Sequence, residues 1–209
     1  MPRAAISWSG GKDSCAALLR THASFDIIAM VTMFDESAER SRSHGLRPEV
    51  LSAQAQRLRL RQVIGRCAWQ TYDTAFAGAL RELKDDDVTH VIFGDIMFDE
   101  HRRWAERMCE AAGLTAVEPL FGLSTLALFE EWTASGADAV IVTARAGFLD
   151  ETWLGRPLRR DMPSRRRCGA GLSAPRRGPE RPRHIVARHS VERCQPDTPM
   201  LEVTDISFA

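Results

Sequence analysis

Near its N-terminus the chain reads Ala4-Ala5-Ile6-Ser7-Trp8-Ser9-Gly10-Gly11-Lys12-Asp13-Ser14, and this stretch decides the fold. Its apolar first half is typical of a buried strand, and residues 15–20 follow a helical pattern. The two adjacent glycines allow the backbone to approach a ligand closely. N–H groups at a helix start attract an anion, and the helix dipole adds to that attraction. The stretch therefore predicts a phosphate or pyrophosphate site between a strand and a helix.

The side chains of the loop extend this prediction. Two serines supply hydroxyl groups and a lysine supplies a positive charge. The candidate nucleotide-binding residues are Ser9, Gly10, Gly11, Lys12, Asp13 and Ser14. The spacing fits neither the P-loop pattern G-x-x-x-x-G-K-[ST] nor the dinucleotide fingerprint G-x-G-x-x-G. The remaining pattern, S-G-G-K-D-S, resembles the PP-loop of the ATP pyrophosphatases, enzymes that cleave ATP between the α and β phosphates.

Strand-like and helix-like segments alternate along residues 1–155. The predicted strands are 4–8, 27–34, 62–64, 88–93 and 139–143, and the predicted helices are 15–20, 48–60, 72–84, 100–112 and 125–135. Such alternation predicts an α/β, Rossmann-like fold, a parallel sheet with helices on both faces. Ligands of these sheets bind beyond the carboxyl ends of the strands.

The composition of the 209 residues is ordinary for a soluble domain, with 44% hydrophobic and 27% charged residues. No apolar run approaches the roughly 18–20 residues of a membrane span, and no signal peptide is visible. The five cysteines form no C-x-x-C pair, which favours reduced thiols. We therefore expect a cytoplasmic protein with no membrane partner.

The zero net charge hides an asymmetry. Residues 1–155 carry 16 basic and 22 acidic side chains, whereas residues 156–209 carry 12 arginines and 6 acidic side chains. The second part is rich in Pro and Gly and shows no apolar period, which predicts an irregular, disordered basic tail. An RNA-binding arm is the alternative, but interleaved aromatic residues for base stacking are missing. Nucleic acid is therefore not the expected partner.

Polar residues follow several of the predicted strands. Asp95 follows Gly94 at the end of strand 88–93, where a carboxylate can bind magnesium or a substrate amine; a helix cap or turn residue is the alternative. His101 lies at the start of the next helix, either at the ligand crevice or on a solvated face. His44, in the loop after strand 27–34, is an acid/base or orienting candidate. Glu118 begins the segment Glu118-Pro119-Leu120-Phe121-Gly122, which forms a pocket wall or a simple rigid turn.

These motifs together resemble the diphthine–ammonia ligase family. The resemblance covers residues 3–158 and rests on segments that recur in the family's order: Ser9–Ser14, His44-Gly45-Leu46-Arg47, Gly94-Asp95-Ile96 with His101-Arg102 and Trp104, Glu118-Pro119-Leu120-Phe121-Gly122, and Trp153-Leu154-Gly155-Arg156. It implies the HUP-type fold of the adenine nucleotide α-hydrolase-like superfamily, with ATP and Mg²⁺ as cofactors.

The implied activity is amidation: a carboxylate is adenylated and then attacked by ammonia, with release of AMP and pyrophosphate. The implied acceptor is diphthine on elongation factor 2, or an unidentified carboxylate in a bacterium. On this basis the catalytic candidates are Lys12, His44, Asp95 and His101, and the candidate metal ligands are Asp13 and Asp95.

The chain departs from the family beyond Leu158. Relatives continue with the signature Cys-Gly-Glu-x-Gly-Glu-(aromatic)-His, where this chain has Cys168-Gly169-Ala170-Gly171. We therefore divide it into a PP-loop ATP-binding domain, 1–158, and an arginine-rich segment, 159–209, that comes from a shifted reading frame or a diverged end. Two alternatives to a ligase stay open: a PP-loop tRNA-modifying enzyme, and an ATP-binding protein that has lost catalysis.

Overall fold

Five parallel strands form the central sheet of this protein. The computed structural model describes residues 1–145, 151–158, 184–186 and 200–203. The sheet has the strand order β3-β2-β1-β4-β5. Its strands are β1 Arg3–Ser7, β2 Asp26–Phe34, β3 Arg61–Arg66, β4 His90–Ile92 and β5 Thr115–Val117. Between and after them lie five helices, α1 Lys12–Thr21, α2 Pro48–Leu58, α3 Tyr72–Lys84, α4 Asp99–Ala111 and α5 Thr125–Ala134.

Two apolar cores cover the two faces of the sheet. Alternate residues of a strand point to opposite faces, so Ile6 of β1 packs with α1, α2 and α5, whereas Ala5 belongs to the core under α3 and α4. The helices contribute buried side chains to these cores, such as Leu51 from α2 and Leu80 from α3. The predicted α/β fold with helices on both faces is therefore confirmed.

The strand order places a crevice at the carboxyl ends of the central strands β1 and β4. The chain moves from β1 outward to β2 and β3, then crosses back to β4 on the other side of β1. The carboxyl ends of β1 and β4 therefore flank a topological switch point, the usual ligand position in such sheets. The loop 8–11 leaves β1 at this point, and residues 93–98 leave β4 there.

Most predicted segments match the observed ones with small differences at their ends, but the predicted strand 139–143 is divided into β6 (Asp138–Ile141) and β7 (Thr143–Arg145), which lie outside the five-stranded sheet. The helix predicted at 72–84 is observed as Tyr72–Lys84, and α4 is followed by Gly113 in the left-handed region (φ 67°). α2 stops at Leu58 rather than at residue 60 because Arg59 is left-handed (φ 56°). β4 is only three residues long, and a short 3₁₀ helix, Trp69–Thr71, was not predicted.

The last described segments lie beyond the main sheet. β6 (Asp138–Ile141), β7 (Thr143–Arg145) and a 3₁₀ helix (Glu151–Trp153) lead to Leu158, which is buried in the core with α1, α2 and α5. Two short strands follow: β8 (His184–Val186), which pairs with β7, and β9 (Met200–Val203), which pairs with β6.

Of residues 159–209 the structure describes β8 and β9, which pair with β7 and β6, and the irregular character of this segment stays a prediction. The rest of residues 159–209, including Cys168-Gly169-Ala170-Gly171, lies outside the described residues. The disordered tail and the alternative of an RNA-binding arm therefore stay predictions. None of the helices in the described part of the chain is long and apolar enough to cross a membrane.

Candidate active site

The glycine loop after β1 has the backbone shape that an anion site requires. Gly10 is left-handed (φ 82°), and a methyl group there would lie 2.6 Å from Leu46 Cδ1 and 2.8 Å from Leu51 Cδ2. Gly11 is the N-cap residue of α1 and provides no side chain to cap the first turn. An anion can therefore take the place of the missing cap at the positive end of the helix dipole.

Hydroxyl groups line the same loop. Ser9 Oγ accepts a hydrogen bond from the Gly11 N–H at 3.2 Å and lies 3.2 Å from Ser14 Oγ. Ser14 Oγ in turn lies 2.9 Å from the Gly11 carbonyl oxygen, to which it donates. Lys12 Nζ contacts both carboxylate oxygens of Asp13 at 2.9 Å. The structure thus brings all six predicted nucleotide-binding residues together around the start of α1.

A buried glutamine holds the glycine loop through hydrogen bonds to Trp8 and Gly10. Gln54 of α2 is only 6% exposed; its Oε1 accepts from Trp8 Nε1 at 2.8 Å, and its Nε2 lies 3.5 Å from the Gly10 carbonyl oxygen. Sequence analysis missed this residue. The signal was present, since Gln54 lies between Leu51 and Ala55 on the apolar face of α2, where a polar side chain needs a buried partner.

His44 lies directly against the loop. Its own segment is fixed by Ser41, whose Oγ accepts from the Leu46 N–H at 3.0 Å and whose carbonyl accepts from the Gly45 N–H at 2.9 Å. A methyl group on Gly11 would lie 2.8 Å from His44 Nε2. Burial, followed by the nearby charge of Lys12, lowers the pKa of His44 to about 4. The imidazole is therefore neutral at pH 7, which suits an orienting group rather than a cationic acid.

The end of β4 packs against the first turn of α1. A methyl group on Gly94 would lie 2.9 Å from the Asp13 carbonyl carbon and 3.0 Å from the Ser14 nitrogen. Asp95 follows immediately, and its Oδ1 lies 3.0 Å from His101 Nδ1. The Asp95 side chain is 32% exposed and that of His101 is 61% exposed, so the pair stands open to a substrate beside the glycine loop.

Glu118, at the end of β5, joins this edge of the sheet. Both of its carboxylate oxygens are shielded from solvent and have no hydrogen-bond partner among the described residues. The pKa of Glu118 is raised to about 7, first by burial and then by the charges of Asp95 and Glu106, while Arg102 and His101 act in the opposite direction. The sequence predicts only a pocket wall or a rigid turn at Glu118, because the burial of its carboxylate depends on the packing of α4.

The candidate metal ligands lie at the same point but form no complete cage. In residues that the structure describes, no group of three or more His, Cys, Asp or Glu side chains could hold a metal ion. The backbones that carry Asp13 and Asp95 nevertheless come close together, because Gly94 packs on the Asp13 backbone. Mg²⁺ that arrives with a nucleotide needs only one or two carboxylates, since phosphates and water complete its shell. The two aspartates fit that arrangement.

A known protein family matches the first half of this chain. The family model of the diphthamide synthase N-terminal domain matches residues 2–116, more than half of the 209 residues. The chain belongs to this family. The diphthamide synthase N-terminal domain is a PP-loop family of ATP-utilising enzymes. Its match covers the glycine loop, His44, Asp95 and His101, and stops two residues before Glu118.

A predicted subunit of a tRNA methyltransferase from Methanocaldococcus jannaschii aligns with a TM-score of 0.42 and 12% sequence identity, over 69% of this chain and 79% of that chain. No curated protein sequence matches this member of the diphthamide synthase N-terminal domain family.

Proposed function

We propose that this chain is an ATP-dependent carboxylate–ammonia ligase that forms an acyl-adenylate and releases AMP and pyrophosphate. One observation carries the proposal: the start of α1 has no side-chain cap, with Gly10 and Gly11 before it and the hydroxyls of Ser9 and Ser14 beside it, a geometry that suits a pyrophosphate group. Membership in a PP-loop family supports the same reading of this geometry.

In this proposal the loop holds the β and γ phosphates of ATP. The first-turn N–H groups of α1 and the Ser9 hydroxyl donate to phosphate oxygens, and the Ser14 hydroxyl does so when it turns from the Gly11 carbonyl oxygen. Lys12 turns from Asp13 to the phosphates and offsets the charge that develops on the leaving pyrophosphate. His44, neutral at pH 7, orients the pyrophosphate group from the other side of Gly11.

Asp13 and Asp95 are the residues that would hold Mg²⁺ on the nucleotide. The ion supplies charge neutralisation on the phosphates when it is bound. Once the loop Lys12 has moved to the phosphates, the Asp13 carboxylate becomes available as a ligand. Asp95 stands on the opposite side of the crevice and keeps its hydrogen bond to His101.

Two covalent steps follow from this arrangement. A carboxylate oxygen of the acceptor attacks the α-phosphorus, the bond to the bridging oxygen breaks, and pyrophosphate leaves. Ammonia then attacks the carbonyl carbon of the adenylate, AMP leaves, and the nitrogen loses a proton to solvent. The chain's contribution is chiefly alignment of the reacting atoms, with Asp95 and His101 orienting the acceptor. Candidate acceptors are diphthine on elongation factor 2 and other carboxylates.

The identity of the nucleotide product tests the proposal. ATP labelled in its α-phosphate is incubated with the protein, Mg²⁺, ammonium and a panel of carboxylates, and the products are separated. We expect labelled AMP together with unlabelled pyrophosphate. Labelled ADP would contradict cleavage at the α–β bond, and AMP formed equally without any carboxylate would contradict a ligase.

A further inference from the structure

Arg42 is a half-buried cation at the carboxyl end of β2 that has no carboxylate partner. Its backbone N–H donates to the Met33 carbonyl at 2.8 Å, which holds the residue beside the end of the strand. In the part of the chain that the structure describes, no acidic side chain pairs with its guanidinium, and its Nε is shielded from solvent without a hydrogen-bond partner. A shielded charged group in this state favours a ligand of opposite charge.

A row of aromatic rings fixes the orientation of this guanidinium. Its central carbon lies 4.6 Å from the centre of the Trp69 ring, and that ring stacks on Tyr72 with the centres 5.8 Å apart. Tyr72 packs in turn against Phe76 at 6.2 Å and Trp104 at 5.7 Å. A stacked arginine loses little conformational entropy when its planar group binds a carboxylate. Arg42 is therefore prepared for an oxyanion.

Tyr72 places a hydroxyl group near the same position. Among the described residues its hydroxyl forms no hydrogen bond. Burial, followed by the neighbouring Cys67, raises the pKa of Tyr72 to about 12. The charges of Asp95 and Asp73 act in the same direction, and that of Arg42 acts in the opposite one. The phenol therefore keeps its proton at pH 8 and can donate it in a hydrogen bond, within the influence of both Arg42 and the end of β4.

The pair Arg42 and Tyr72 lies across the crevice from the glycine loop. Tyr72 and the rings around it pack against the core under α3 and α4, whereas α1 covers the opposite face of the sheet. Because the glycine loop at the start of α1 takes the phosphates, an oxyanion on the other wall belongs to the second reactant. In the proposed function that reactant is a carboxylate.

We propose that Arg42 and Tyr72 bind the carboxylate of the acceptor on the wall of the crevice that faces the glycine loop. Both side chains donate to one carboxylate oxygen, so that the other oxygen keeps its lone pairs for attack on the α-phosphorus. The role in catalysis rests on the proposed function. The binding of a carboxylate can be measured without nucleotide.

Sodium acetate is the probe that tests this site in the full chain at pH 8. Trp69 is 65% exposed and lies under the guanidinium, so its fluorescence should respond when an anion binds Arg42. Sodium chloride at equal ionic strength is the control salt. We expect a saturable change with acetate alone, in the wild type and in Arg66→Gln, which replaces an exposed arginine at the end of β3. Trp69→Phe should lose the signal.

Three variants measure the contribution of each donor. Arg42→Gln should weaken acetate binding at least about tenfold, the usual loss of a charged hydrogen bond. Arg42→Lys should also weaken it, because an ammonium group lacks the planar fork. Tyr72→Phe keeps the ring packing, removes only the hydroxyl and should weaken binding about threefold or more.

The Lys and Phe variants keep the test valid if Arg42→Gln does not fold. Absence of an acetate signal in the wild type, or unchanged acetate affinity in the Arg42 variants, would overturn the site. Unchanged affinity in Tyr72→Phe would remove Tyr72 from it. Inorganic phosphate that gives a stronger Arg42-dependent signal than acetate would overturn the assignment to a carboxylate.

Titration of ATP with Mg²⁺ separates the acceptor from the nucleotide. Arg42→Gln and Tyr72→Phe should bind ATP like the wild type, and a loss of about tenfold or more would assign them to the nucleotide site instead. Carboxylate-dependent AMP formation that is equal in Arg42→Gln and wild type removes the acceptor site alone. Arg42-dependent acetate binding, in a protein that forms ADP or cleaves no ATP, removes the ligase and leaves the carboxylate site.

Discussion

Single residues at the carboxyl edge of the sheet show how strongly their surroundings change their chemistry. The pKa values of His44 and Glu118 shift in opposite directions, yet both shifts favour the neutral form of the side chain. Chiefly through burial, the pKa of the imidazole is lowered to about 4 and that of the carboxyl is raised to about 7. Neither shift could be predicted from the sequence, because the burial comes from Gly11 and the neighbouring loop for His44 and from α4 for Glu118.

Glu118 gives a stability prediction at the residue scale. Its pKa in the folded state lies above the ordinary value of 4.5, so the folded state binds more protons than the unfolded state between pH 4.5 and about 7. The folding stability of the wild type should therefore fall as pH rises through this window and level off above it. Glu118→Gln has no ionisable group at this position, so it should lose this dependence and be more stable than wild type at pH 8 by about 1–3 kcal/mol, because no negative charge has to be buried there.

Urea unfolding at pH 5 and pH 8, in buffers without ammonium, measures this effect. Glu110→Gln is the control, since that exposed carboxylate should leave the pH dependence unchanged. A Glu118→Gln variant that is less stable than wild type at pH 8 would mean that the carboxylate has a partner after all.

At the scale of elements, the strand–loop–helix unit β1–α1 could be predicted almost completely from the sequence. The glycine pair and the apolar run before it place the anion site, and strand alternation predicts the two-sided sheet. The sequence alone does not reveal which distant elements support the loop. Gln54 from α2, the approach of Gly94 to the Asp13 backbone and the contact of His44 with Gly11 all depend on strand order, which local patterns do not encode.

The contacts of Gln54 with the glycine loop predict how its replacement changes stability and ATP binding. Replacing it with Leu leaves the Trp8 indole N–H without its acceptor and removes the donor beside the Gly10 carbonyl. We expect Gln54→Leu to lose about 1–3 kcal/mol of stability and to weaken ATP binding several-fold, since the loop is less well fixed. Gln56→Leu on the exposed side of the same helix is the matched control. Chemical denaturation and calorimetric titration of ATP measure the two effects; unchanged ATP binding in a destabilised Gln54→Leu would restrict the residue to stability.

For the whole molecule, the two apolar cores are built from side chains between Ala4 and Leu158. We therefore expect a chain truncated after Leu158 to fold with the same helix content, although it loses the pairing of β6 with β9 and of β7 with β8. Circular dichroism and thermal unfolding of the truncated and full chains compare them directly. A fall of more than about 10 °C in the unfolding midpoint, which corresponds to several kcal/mol at this size, would show that residues 159–209 are part of the cooperative fold.

The central claim, that the loop Ser9–Ser14 binds the phosphates of ATP, is tested most directly by calorimetric titration of ATP with Mg²⁺ into the full chain. Lys12→Ala removes the positive charge, and Gly11→Val places a side chain where even a methyl group would lie 2.8 Å from His44 Nε2. The matched control is Gly78→Ala in α3, where a methyl group meets no atom within 4 Å. We predict that each loop variant binds ATP at least about tenfold more weakly, roughly 1.4 kcal/mol, while Gly78→Ala binds like wild type. Unchanged ATP affinity in both loop variants would contradict the account.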